Sequence, residues 1–389
     1  MNKSIYICAA ATLMMGSCSN DEVVERAKEN AISFRSAVGV NTRALNMVQD
    51  SLERNGMYVT TFNKNGDLVY PETHYELDGG VWMAKPEQSW GGYSELDFYL
   101  AYPALSEWQT GFNLKDGKTV IVTVDEDIPQ QKDYVMAHVL ASKTNGAVSV
   151  SLKHVLSSVE IRATNTNSAY KYMVKGIRLN GVNKQAILDL SNLTVSWGII
   201  TNTSARSYEL RYNTPVELDG TAKSIMGEAK NAILPPQAPN DGILIETWDG
   251  TSAIVTPDKA YISVLINLTA TAGANIYPAG SGSTDDTRTY GWVAVPVEFR
   301  WESGKKYVYT LDFSEGAGRV DPYDPGTDVN PGVTDPDKAK PILGGLIRFG
   351  VTVTEWGNED KDVDLKDGDK FGNITVDGWT DEKNDATVN

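Results

Sequence analysis

The feature that most constrains this chain is a recurrence of short alternating apolar runs, closed off by Gly, Asn and Pro, with no helical stripe of useful length among them. Ile32, Phe34, Val38 and Val40 share one parity, while Ser33 and Arg35 take the other. Runs of the same kind follow at Met57 to Phe62 before Asn65-Gly66, Leu68 to Tyr70 before Pro71, Leu96 to Tyr102 before Pro103, and Val120 to Val124 before Asp125. Val148, Val150 and Leu152, then Val155, Val159 and Ile161, make the best strand pair of the first half. The second half repeats the grammar at Met173 to Leu179, Ala186 to Leu190, Ala232 to Leu234, Ala260 to Leu268, Trp292 to Phe299 and Tyr307 to Phe313. Regular short strands with this punctuation predict an all-β chain built from sandwiches. With 389 residues, two sandwich domains in tandem are expected, because single cores rarely grow past about 250 residues.

The expected organisation begins with an export signal over 1–18. Lys3 gives the positive start, and Ile5 to Met15 is apolar but too short to span a bilayer. Met15-Gly16-Ser17-Cys18 resembles a lipobox, so Cys18 is expected to become the acylated first residue and to hold the chain to the outer membrane. The only other cysteine, Cys8, leaves with the signal, so no disulfide within the mature chain is expected. A spacer and first strand occupy 19–43, the first sandwich 44–166 and the second 167–315, with the boundary at the polar break Asn165-Thr166-Asn167-Ser168. Gly, Asp and Pro then dominate 316–345, the composition of an extended tether. A strand returns at 346–356, and 357–389 is an acidic tail with a last strand at Phe371 to Val376. The net charge of −16 argues against sequence-independent binding to nucleic acid, which needs a basic face.

Two strands stand apart and share one pattern. Ile347, Phe349, Val351 and Val353 repeat near the carboxyl end the apolar spacing of Ile32 and Phe34. A strand on a tether is expected to have no sheet of its own, and a sandwich lacking one strand leaves an open cleft that something must fill. The two strands therefore read as competitors for one groove. Cleavage between Arg43 and Ala44 would free the first strand, and the tethered strand of another molecule would replace it by β-strand addition. Such a head-to-tail contact does not close, so it builds a fibre.

The order of motifs along the chain resembles the fimbrillin-like family, the subunits of type V pili in Bacteroidota. The resemblance rests on Met15-Gly16-Ser17-Cys18, on Ile32-Ser33-Phe34 followed by Thr42-Arg43-Ala44, and on Ser151-Leu152-Lys153-His154-Val155-Leu156-Ser157-Ser158-Val159. It rests also on Ile233-Leu234-Pro235-Pro236-Gln237, on Trp301-Glu302-Ser303-Gly304-Lys305-Lys306-Tyr307-Val308-Tyr309, and on the tether with Ile347-Arg348-Phe349. It implies two transthyretin-like β-sandwich domains with a tethered C-terminal donor strand, lipoprotein export, and trimming by an arginine-specific protease. Polymerisation with other fimbrial subunits is implied as well, and an adhesin role would add a host or bacterial surface ligand. Arg43 matches the expected cut best, ahead of Arg35 within the strand and Arg54 beyond the loop. The acidic extension after Trp356 departs from the pattern.

No catalytic, cofactor or metal site is expected. His74, His138 and His154 lack metal-ligand spacing, and no nucleophile elbow, phosphate-binding loop or dinucleotide fingerprint occurs. Asp360, Asp362 and Asp364 imitate the start of a calcium loop, but Leu365 stands where Gly is needed and Phe371 where Glu is needed. The alternative reading is a surface lipoprotein that binds glycan without polymerising, using Trp82, Trp90, Trp108 or Trp197 as exposed stacking platforms.

Overall fold

The computed structural model describes residues 30–38, 46–109, 112–143, 146–190, 196–199, 206–240, 245–248, 253–255, 260–282, 284, 288–321, 341–343, 347–356 and 374–376. The candidate lipidation site Cys18, the cleavage pair Arg43 and Ala44, the strand residue Val40 and the Asp360–Asp364 run lie outside them, as does the side chain of Val38. In chain order the strands are β1 (Ser33–Val38), β2 (Met57–Asn63), β3 (Leu68–Asp78), β4 (Val81–Ala84), β5 (Glu95–Tyr102), β6 (Thr119–Thr123), β7 (Val135–Ser142), β8 (Val148–His154) and β9 (Ser157–Thr164). The second half continues with β10 (Tyr170–Val182), β11 (Gln185–Asp189), β12 (Ser196–Ile199), β13 (Arg206–Glu217), β14 (Lys223–Ser224), β15 (Ala232–Leu234), β16 (Gln237–Asn240), β17 (Ile245–Trp248) and β18 (Ala253–Val255). Last come β19 (Tyr261–Ala270), β20 (Asn275–Tyr277), β21 (Gly291–Pro296), β22 (Phe299–Trp301), β23 (Lys305–Asp312), β24 (Arg319–Val320), β25 (Arg348–Glu355) and β26 (Ile374–Val376).

The all-β expectation holds. The first unit is a closed barrel in the order β1-β4-β3-β2-β5-β7-β8, around a core that includes Phe34, Tyr75, Trp82, Trp90, Phe98 and Leu152. In the second unit one sheet runs β13-β10-β19-β21-β24 and another β14-β9-β23-β25-β26, and their buried residues share one hydrophobic cluster. Strand β19 is buried through nine of its ten residues because it lies between two partner strands, and its buried polar Ser263 and Asn267 bond Asp321 and Ser281. Strand β10 bulges between Val174 and Gly176. A Cβ at Gly176 would stand 2.6 Å from the Leu210 carbonyl oxygen, so glycine alone lets β13 approach there.

Four expectations are corrected. The chain does contain a helix, α1 (Asn46–Asn55), ended by Gly56 at φ +80. Its ten residues are too few to show a stripe in sequence. Strand β3 runs through Pro71 instead of stopping there, because a register shift between Val59 and Thr61 accommodates it. The polar break at 165–168 is a corner and not a domain boundary: Asn165 and Asn167 accept the amides of Asn167 and Ala169, both at 3.0 Å, in two consecutive Asx turns. Both strands beside that corner, β9 and β10, belong to the second unit, and β6 of the first half pairs with β11.

The fourth correction concerns the carboxyl-terminal strand. Strand β25 has a sheet within its own chain, pairing antiparallel with β23 from Asp312↔Arg348 to Lys305↔Glu355. The segment expected as a tether is tied at both described ends. Strand β24 pairs with β21, and the Ile342 amide donates to the Gly318 carbonyl at 2.9 Å, the length of a well-formed bond.

Candidate functional site

Strand β1 closes the barrel. It pairs antiparallel with β4 at Ser33↔Met83 and Phe34↔Trp82, and parallel with β8 from Phe34↔Val148 to Val38↔Leu152. Just before it, Asn30 turns the chain at φ +80, a conformation Asn tolerates. There the Ile32 amide donates to the Gln88 carbonyl at 2.8 Å, and the Trp90 amide to the Asn30 carbonyl at 2.9 Å. These bonds satisfy backbone groups that would otherwise be buried without partners.

The side chains follow the predicted parity only in part. Ile32 and Phe34 are buried and Arg35 is exposed, but Ser33 is buried too, because β1 is an inner member of a closed barrel. Phe34 fills the centre of the slot, edge-on to Tyr75 at 5.4 Å and to Phe98 at 5.1 Å. Tyr75 donates its hydroxyl to Gln88 Oε1 at 2.9 Å, and burial pushes its pKa up. The slot is thus apolar, lined by aromatic rings, and framed by one strand edge on each side. That arrangement accepts an extended peptide with large apolar side chains at every second residue.

The carboxyl-terminal strand presents such a peptide. Phe349, Val351 and Val353 lie opposite Leu311, Tyr309 and Tyr307 of β23. Ile347 and Val353 are buried, whereas Phe349 and Val351 are only partly so. The strand is pinned at its ends by ion pairs of Arg348 with Glu315 and Lys305 with Glu355. On its far edge, among the described residues, only Ile374 to Val376 of the tail pair with it, in parallel. The structure therefore places the two candidate strands in different sheets and does not bring them together.

Sequence reasoning missed the contact that links β25 to the first unit. Trp356, directly after β25, stacks on His154 at the end of β8, with centroids 4.1 Å apart and planes 12° apart. His154 Nδ1 donates to Asp133 Oδ2 at 2.7 Å, while its buried Nε2 has no hydrogen-bond partner, so this core histidine is satisfied at one nitrogen alone. A ring contact between residues so far apart in the chain leaves no signal in local pattern. Of the tryptophans a glycan platform would need exposed, Trp82, Trp90 and Trp108 are buried, and the side chain of Trp197 lies outside the described residues. Among the described residues no cluster of three or more His, Cys, Asp or Glu is placed to hold a metal, and no helix is long and apolar enough to cross a membrane.

Comparison with solved structures finds similar chains of low identity. A candidate cell adhesion protein from Parabacteroides distasonis matches at 10% identity and a TM-score of 0.48, covering 86% of this chain and 99% of its own. A fimbrilin from Porphyromonas gingivalis matches at 10% identity and a TM-score of 0.38, covering 84% of this chain and 98% of its own. No curated protein matches. The family model described as Fimbrillin-like matches residues 42–335, well over half of the chain, and the protein therefore belongs to the fimbrillin-like family.

Proposed function

We propose that this protein is a structural subunit of a cell-surface fimbria that assembles by strand exchange. Membership of the fimbrillin-like family supports the coarse reading, a non-enzymatic fimbrial subunit that works at the cell surface beside others of its kind. The observation that carries the finer reading is the position of β1, an amino-terminal strand held as an inner member of a barrel that it closes. Its removal opens a slot between β4 and β8, with two unpaired strand edges and a cavity the size of Ile32 and Phe34. Each such side chain contributes roughly 1.5 to 3 kcal/mol on burial, which makes the vacant slot a strong acceptor.

An arginine-specific protease cutting between Arg43 and Ala44 would create the slot. Arg35 is a poorer target because it is paired within β1, and Arg54 because it sits in helix α1. The incoming strand is that of a second subunit, with Ile347 and Phe349 in the places of Ile32 and Phe34 and with Val351 and Val353 filling the positions beyond. Since β25 rests on its own sheet before assembly, donation requires it to leave β23. The 322–340 segment, drawn out fully, spans about 60 Å, enough to reach a neighbouring subunit. Export as a lipoprotein acylated on Cys18 would hold the precursor on the outer membrane until cleavage.

The test uses the precursor lacking residues 1–18, treated with an arginine-specific protease and run on denaturing gels without boiling. The expected result is a ladder that disappears when 346–354 is deleted and that Arg43→Ala prevents. A trimmed product that stays monomeric would overturn the proposal.

A further inference from the structure

His154 stands where the groove and the carboxyl-terminal strand meet. It is the last residue of β8, two positions beyond Leu152, the final β8 residue paired with β1. Its side chain is 3% exposed and is held by Asp133, whose own side chain is 11% exposed. On the other side of the contact, Trp356 donates its amide to the Gly304 carbonyl at 2.8 Å, which fixes it beside the turn leading into β23. The indole then lies flat on the imidazole. A ring oriented by a buried carboxylate makes a rigid surface, so the stack loses little freedom on forming.

We propose that Trp356 and His154 form a latch that keeps β25 closed on its own sheet. Among the described residues, strand β25 has one full ladder, to β23, and a three-residue parallel ladder on its other side. Once the short β26 frays, β25 is reached by local opening before β23 and β9. Its amino-terminal end is held by Ile347, whose Cδ1 packs so closely on Gly318 that a Cβ there would stand 2.9 Å from it. Its carboxyl-terminal end is held by the Trp356 stack. Breaking the stack frees the end farther from the segment that ties the strand to its subunit, so opening peels from Trp356 towards Ile347. The latch restrains the strand that the proposed function assigns as donor, and its consequence for assembly rests on that reading. The latch itself does not.

Hydrogen exchange of the 348–355 backbone amides in the uncut precursor tests the latch without assembly. Trp356→Ala should speed their exchange about threefold to tenfold, the equivalent of one aromatic stack, while amides of β19 keep their rates. In a His154→Asn background, which removes the ring but keeps a polar partner for Asp133, the same Trp356→Ala change should add nothing. Trp356→Phe should restore most of the protection. Unchanged exchange in Trp356→Ala, or equal acceleration with and without His154, would overturn the latch. If exchange behaves as expected but the cleaved protein never forms ladders, the latch stands and strand donation fails. If ladders form but exchange is unchanged, strand donation stands and the latch fails.

Discussion

Phe34 concentrates the chemistry of the groove in one side chain, since it is fully buried and meets Tyr75 and Phe98 edge-on. Phe34→Ala should lower the stability of the uncut precursor by about 3 to 5 kcal/mol, measured by chemical denaturation. The same change should have no effect on the product cleaved after Arg43, from which the residue has gone. A second buried site lies near the start of the segment expected as a tether. Arg178 lies 3.7 Å over Trp292 and bonds Glu209 at 2.6 Å, while Asp321 accepts hydrogen bonds from Ser263 at 2.5 Å and Tyr261 at 3.2 Å. Asp321→Ala should cost about 3 kcal/mol by chemical denaturation, because it strands two buried donors and removes the carboxylate that lies 3.9 Å from the buried Arg178 guanidinium. Ile32 and Phe34 were legible as a buried pair from their alternation. Ser33 was not, since a period of two cannot tell a strand with one buried face from one enclosed on both sides.

Strands β1 and β25 carry the same apolar spacing, yet one closes a barrel and the other lies near the rim of a sheet. If β25 must leave β23 before assembly, locking it there should stop assembly without harming the fold. Thr310 and Gly350 are paired across β23 and β25, and a Cβ at Gly350 meets no atom within 4 Å. The Thr310→Cys, Gly350→Cys double variant is expected to form a disulfide, since paired strand positions approach the required geometry. Oxidised and cut, it should stay monomeric on unboiled gels, and a reductant should restore ladders. Many strands were visible in sequence, because one-sided burial writes a period of two into them, whereas β4, β7 and β13 were not read. Helix α1 was not read either, as a helix of ten residues has too little periodicity.

Across the whole molecule the cores are rich in buried tyrosine. Burial raises the pKa of Tyr307 from 10.0 to about 12, and it raises those of Tyr75, Tyr172, Tyr208 and Tyr309 as well. In the unfolded chain these hydroxyls ionise near 10, while in the fold they stay neutral, so ionisation favours unfolding above that pH. The stability they allow is complete below pH 10 and is lost as pH rises towards 12 and beyond. Denaturation midpoints should fall across that range, and tyrosinate absorbance should appear together with loss of structure. The sequence by itself determined the all-β class, the position of many of the strands, the likeness between the two terminal strands and the family. These follow from alternation, turn residues and motif order, which are local properties of the chain. Only the tertiary structure decided that β9 belongs to the second unit, that the 165–168 break is a corner, that β25 has a sheet of its own, and that Trp356 rests on His154. Which strand pairs with which depends on edges and faces brought together across long separations, and no short window of residues records that.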